Sequence, residues 1–320
     1  MNNNRFNFRT DMADERVDTY KKINNLTQID GVKVTTNKFD NFSITIVDVL
    51  NDNGADALQK EIGKYITMEI NDIKYLDNDT KDSILKELSN QIKSLIGNDN
   101  SKSVLVVGLG NEYVTPDSLG PKVIKNVEIT RHLINFAKEL VEPNTREVSG
   151  ICPGVLGTTG IETSEIISSV CGTIKPDIVI VIDSLASSSI QRLGNTIQLS
   201  NTGITPGAGV RNKREGINEK SLNIPVIAIG VPTVVDMATI TNETIDKMLD
   251  ETKSQMESAE SVDDKEVTVD ITNILDDKKR YELVEKVLDN ENLIVTPKEI
   301  DDVIQIVSEI ISDGINMSVN

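Results

Sequence analysis

Tryptophan is missing from this 320-residue chain, histidine occurs once, cysteine twice, and aromatic side chains make up 3% of positions. Each scarcity excludes something. With His132 in EITRHLINFA as the single imidazole, a Ser-His-Asp or Cys-His centre would rest wholly on one residue. A zinc site would lack its favoured imidazole pairs and thiolate clusters, and a lone histidine on a helix is more often packed or solvated than catalytic. Cys152 and Cys171 give no disulfide framework and no C-x-x-C spacing, so they read as two reduced thiols. No run approaches the ~18 apolar residues needed to cross a bilayer. The N-terminus shows no basic patch followed by an apolar stretch, so no signal peptide or membrane partner is expected and the chain reads as cytoplasmic. GLGN is not G-x-G-x-x-G, and no G-x-x-x-x-G-K-S/T occurs, which leaves dinucleotide and P-loop readings weak.

What the chain has in excess is acid. Its 51 Asp and Glu outnumber 33 Lys and Arg, for a net charge of -18. Such a surface repels phosphate backbones and argues against direct nucleic-acid binding. Solubility and the steering of basic partners are both open as its purpose. With so few aromatics, the core must come from Ile, Val and Leu, and these gather in short runs that suit buried strands. FSITIVDV (Phe42–Val49) and KYITMEI (Lys64–Ile70) read as strands with a loop-like NDNGADALQKEIG between them. A helix is expected from about Thr80, with Ile84, Leu88, Ile92 and Leu95 on one face and Gly97 as its stop. SVLVVGLGN and PDIVIVIDSLAS read as central parallel strands, TIQLSN and IPVIAIGVP as further strands, and IETSEIISSVCGTI as a helix.

This alternation predicts one α/β domain over residues 17–320, a twisted, mostly parallel sheet with helices on both faces, preceded by a polar leader of residues 1–16. Residues 241–292 turn acidic and read as a mobile linker plus an exposed helix, an acidic C-terminal extension. Beyond it, Thr296 and Glu299 form a capping-box pattern with Pro297 at the first helical position. Ile300, Val303, Ile304, Val307 and Ile311 then make an amphipathic helix that should dock on the core.

Chemistry falls to the carboxylates. Asp117 in TPDS lies just beyond the first central strand at a helix start, and Asp183 in VIDS ends the second. In a parallel sheet both emerge at the same carboxyl edge, facing one crevice. Each also has an ordinary structural use, Asp117 in meeting free helix-start donors and Asp183 in forming a turn. Two carboxylates split a peptide when one stays ionised to draw a proton from water and the other keeps its proton for the leaving nitrogen. Which of the two would be base is open. CPGVLGTTG and TPGAG could offer backbone N–H groups to an oxyanion, or simply make turns.

VLVVGLGNEYVTPDSLGPKV, SGICPGVLGTTGIET, DIVIVIDSLASSS, TGITPGAGVRNKR and IGVPTVVD, in that order, closely resemble the germination proteases of spore-forming Firmicutes. The similarity runs from about Phe8 to the C-terminal helix. It implies an endopeptidase of the spore core that degrades small acid-soluble spore proteins, is made as a zymogen that removes its own propeptide, and assembles as a homotetramer. The family's two essential aspartates map onto Asp117 and Asp183. Its substrates are cut after the first acid of a motif like Thr-Glu-Phe-Ala-Ser-Glu. Thr10-Asp11-Met12-Ala13-Asp14-Glu15 in the leader is similar, which predicts self-cleavage between Asp11 and Met12. A more distant likeness links the strand-GLGN-loop-Asp-helix start to hydrogenase maturation proteases, which bind a metal through carboxylates and a histidine. Here His132 does not fall in the matching position, so no metal or other cofactor is expected. Metal-assisted hydrolysis of that type and a non-enzymatic acidic binding protein are the competing readings.

Overall fold

The structure, a computed structural model, describes residues 10–97, 99–206, 215–257, 283–284, 286–287 and 293–319. In chain order its elements are α1 (Ala13–Asn24), β1 (Val32–Lys38), β2 (Phe42–Val49), α2 (Asp52–Leu58), β3 (Gly63–Ile70), α3 (Asn78–Ile96), β4 (Val104–Gly108), α4 (Leu119–Asn126), α5 (Arg131–Phe136), β5 (Val148–Ile151), α6 (Leu156–Thr159), α7 (Thr163–Ile174), β6 (Ile178–Ser187), β7 (Thr196–Ser200), α8 (Glu219–Leu222), β8 (Val226–Asp236), α9 (Met237–Glu257), β9 (Ile294–Val295) and α10 (Ile300–Val319).

Among the described residues all nine strands join one sheet in the order β1-β2-β3-β7-β8-β6-β4-β5, with β9 paired to β8. The run β8-β6-β4-β5 is parallel, as the near-continuous apolar strands require. β1, β2, β3 and β7 extend it through antiparallel pairs, β7 meeting β8 antiparallel at the junction. Side chains alternate between faces. Ile178, Ile180 and Ile182 of β6 join a core with α3, α4 and α10, while Val179 and Val181 join another with Ile167 and Cys171 of α7. Helices thus cover both faces. A third cluster packs Ala13 and Val17 of α1 with Leu58 of α2, Val47 and Val49 of β2, and Tyr65.

Three local expectations differ from what is seen. NDNGADALQKEIG is not simply a loop, because Asp52–Leu58 is helical, capped by Asn51 accepting from Gly54 N at 3.0 Å. The capping box at Thr296 does not form. Thr296 Oγ1 instead donates to the Thr233 carbonyl at 2.9 Å, and α10 starts at Ile300, whose N–H donates to the Pro297 carbonyl. Of the acidic stretch 241–292, residues up to Glu257 continue α9, and most of the remainder lies outside the described residues.

The contact that positions the site is the approach of α4 to the end of β4. A side chain at Gly120 would run into the backbone of Gly108 and Leu109. Gly120→Ala should therefore force α4 off the strand, destabilising the fold by about 1–3 kcal/mol as overpacking does. Urea unfolding measures this, and an unchanged midpoint would contradict the close approach.

Candidate active site

Unequal strand lengths make the crevice. β4 ends at Gly108, paired with Ile182, while β6 continues to Ser187 beside β8. Asp183 is the first β6 residue beyond that last pair, so it lies inside the strand rather than at its end as the sequence reading had it. The chain leaving β4 turns through Gly110 at φ 108°, where a Cβ would overlap the Asp117 carbonyl. Glycine is thus required there both for its backbone angle and for space. The Thr115–Asp117 turn follows, and Asn111 N donates to the Asp117 carbonyl at 3.0 Å and to its Oδ2 at 2.9 Å. Asp117 is half-buried and Asp183 is 6% exposed, with Asp183 Oδ1 accepting from Ser184 N at 2.9 Å.

Both aspartates line one cavity of about 390 Å³. So does Asp11. A bulge shapes its floor: Leu185 pairs with Pro232 and Ala186 with Val234, leaving Thr233 as the extra residue. The hydroxyls of Thr233 and Ser184 are buried there without a protein hydrogen bond among the described residues. Gly154 and Val155 of CPGVLGTTG line the cavity, as do Thr205 and Pro206; residues 207–214, which hold the rest of TPGAGVRNKR, lie outside the described residues. His132 is exposed on α5 and does not line it.

The segment Thr10–Glu15 is buried rather than trailing in solvent, and α1 spans the expected leader boundary at residue 16. Met12 has no exposed surface. Asp11 N donates to the Ala186 carbonyl at 2.9 Å, and Ala186 N donates to Asp11 Oδ2 at 2.9 Å. The Asp11 carbonyl accepts from Lys60 Nζ at 2.6 Å and from Gln198 Nε2 at 3.2 Å, while Gln198 Oε1 accepts from Ala13 N at 2.8 Å. Asp14 and Glu15 fall in the first turn of α1, where the helix field favours acids. Glu15 accepts from Thr10 Oγ1, from Ser187 Oγ at 2.6 Å, and from Ser188 N at 2.9 Å and Oγ at 2.7 Å. Arg192 reaches Asp14 at 2.6 Å, Glu69 at 2.8 Å and Glu15 at 3.5 Å. Arg16 donates back to the Thr10 carbonyl at 2.9 Å.

The charges respond to this crowding. Burial, with Arg16 nearby, pulls the Lys60 ammonium down to about 8 against the opposing pull of Asp11, Asp14 and Glu15. Burial works to lower Arg192, but Asp14, Glu15 and Glu69 outweigh it and raise its pKa. Burial pushes Glu69 up despite Arg192. Arg192→Met should strand two buried carboxylates, a loss of about 3 kcal/mol or more when a buried pair loses one partner. Hydrogen exchange over residues 10–24 should then quicken by about 100-fold; undiminished protection would mean that the ion cluster does not hold the segment.

Lys60, Gln198, Arg192 and the serines at 187 and 188 were not singled out from sequence. The comparisons with known proteins are consistent with the motif reading. A family model described as germination protease matches residues 9–272. A germination protease of Clostridium perfringens is 45% identical over 316 residues, covering 98% of this chain and 95% of the relative. One of Clostridium tetani is 46% identical over 312 residues (97% and 94%), and one of Priestia megaterium 40% over 350 residues (98% and 94%). Among solved structures, a NiFe hydrogenase maturation protease, HycI, of Thermococcus kodakarensis is 17% identical with a TM-score of 0.30, over 45% of this chain and 80% of that one.

Proposed function

The chain belongs to the germination protease family, and on that footing we propose an aspartate-dependent endopeptidase made as a zymogen that cuts itself between Asp11 and Met12. Its later substrates would be small acid-soluble spore proteins in the spore core, and its assembly a homotetramer, both carried by the family resemblance. The observation that supports the reading most is the position of Asp11, which lines the same cavity as Asp117 and Asp183 while its backbone hydrogen-bonds to Ala186 of β6. A disposable leader has no reason to bury an acid in a crevice with two others. A substrate does.

The chemistry balances with these groups alone. One aspartate carboxylate takes a proton from water as the water oxygen bonds to the Asp11 carbonyl carbon, and the carbonyl π pair moves onto oxygen. The other aspartate, protonated, gives its proton to the Met12 nitrogen as the C–N bond breaks. The products are the Asp11 carboxyl and the Met12 amine. Recognition would follow the leader's own contacts, with the acid before the cut meeting Ala186 and the acid four residues after it meeting Arg192, Ser187 and Ser188. Because the contacts after the cut are made from the first turn of α1, a substrate would bind extended up to the scissile bond and turn helical beyond it.

Incubating the purified full-length chain should yield a product beginning at Met12, read by N-terminal sequencing or intact mass. Asp117→Asn and Asp183→Asn should each slow that step by about 10²–10⁴-fold, the range for lost acid–base assistance, with the fold retained by circular dichroism. Processing at wild-type rate in both variants would remove the aspartate pair. Loss of activity on chelation, restored by a divalent ion, would replace it with metal-assisted hydrolysis.

A further inference from the structure

The reacting carbonyl of the leader is not left to the glycine-rich loops. Its oxygen is held by two side-chain donors, Lys60 Nζ at 2.6 Å and Gln198 Nε2 at 3.2 Å. These two residues line a second cavity of about 170 Å³, and Asp11 lines both it and the aspartate cavity. Lys60 and Gln198 do not line the aspartate cavity, and Asp117 and Asp183 do not line the other. Asp11 thus lies where the two cavities meet, with the two carboxylates lining one and the two donors lining the other. We propose that Lys60 and Gln198 form the oxyanion site of this peptidase, binding the carbonyl oxygen of the residue before the cut in the leader and in protein substrates alike.

The proposal rests on the reading that Asp11–Met12 is the bond cut, and on geometry that reading does not supply. Each donor is fixed from elsewhere. Gln198 stands on β7, and its own carbonyl accepts from Ala13 N, which directs its amide N–H₂ toward Asp11. Lys60 follows the left-handed residue Gln59 that ends α2, its backbone N–H donating to the Ala55 carbonyl and its ammonium lying 5.5 Å from the Tyr65 ring centroid. A desolvated ammonium gains little from a neutral carbonyl and much more from an alkoxide. The contact is therefore stronger in the transition state than in the resting chain, which is the condition for catalysis. As water adds, the electron pair displaced from the C=O bond comes to rest on the oxygen between Lys60 and Gln198. It returns to re-form the carbonyl when the bond to Met12 nitrogen breaks.

The test is the single-turnover rate of self-processing in the full-length chain, read beside hydrogen exchange over residues 10–24. Lys60→Met keeps the length of the side chain without its charge, and Gln198→Glu keeps the acceptor for Ala13 N without the donor. Each should slow processing by about 10²–10³-fold, as loss of one oxyanion donor does, while the leader stays protected. Lys60→Arg, which retains the charge, should recover part of the rate. Processing within threefold of wild type in Lys60→Met, or a rate that falls only in proportion to lost leader protection, overturns the proposal. If either occurs while Asp117→Asn is inert, the aspartate reading stands and this site alone fails. A wild-type chain that never cuts itself removes both.

Discussion

Carboxylates taken out of water must be met by cations or hydrogen-bond donors, and the placement of the N-terminal segment follows from that requirement. Asp14 and Glu15 are 6% and 7% exposed. Arg192 spans Asp14, Glu15 and Glu69, and the Ser187–Ser188 corner takes the remaining Glu15 valence. The segment is also tied to itself, Thr10 to Glu15 through their side chains and Arg16 to the Thr10 carbonyl. With Glu15 seated, the bond four residues before it has no freedom to slide. A shift of one residue along α1 would rotate both acids away from Arg192 and carry Asp11 off Ala186. If Asp11–Met12 is the bond cut, recognition of an acid beyond it sets the register of that bond, so that specificity and positioning are one interaction.

The sequence made the parallel core readable because the fold there obeys simple rules. Continuous apolar runs in SVLVVG and IVIVID need cover on both faces, and the helices that cover them carry apolar residues at helical spacing. The same rules brought Asp117 and Asp183 to one edge of the sheet. What local pattern did not carry was tertiary. α2 is short, polar and contains Gly54, and it forms where Gly54 approaches Gly31 closely enough to exclude a side chain. The helix start at Thr296 has the right residue types, but the Thr296 hydroxyl is taken by Thr233 across the fold.

The site residues that went unseen divide the same way. TIQLS carried a usable signal. Thr196, Gln198 and Ser200 alternate with Ile197 and Leu199, and all five are buried, so the strand has a polar buried face that must meet other polar groups. Lys60 carried none. It stands in the turn after α2, and it is taken from water by groups distant in sequence, among them the Asp11 carbonyl and Gln198 of β7.

The contacts of the N-terminal segment also bear on the proposal that it occupies the cavity as a substrate. If Asp11–Met12 is the bond cut, hydrolysis creates a carboxylate on Asp11 and an ammonium on Met12. The carboxylate forms against Lys60, a cation already in place. The ammonium forms on a residue with no exposed surface, whose nitrogen donates to the Thr10 hydroxyl at 3.0 Å. A buried ammonium is unfavourable by several kcal/mol unless it is fully paired and hydrogen-bonded, and exposure to water removes that requirement. Ala13 and Val17 hold the rest of α1 to the core. On that reading the cost of the products falls at the cut itself, and exposing the new Met12 terminus to water relieves it. In the uncut chain the Met12 nitrogen is a neutral amide, and the segment stays where its buried acids fix it.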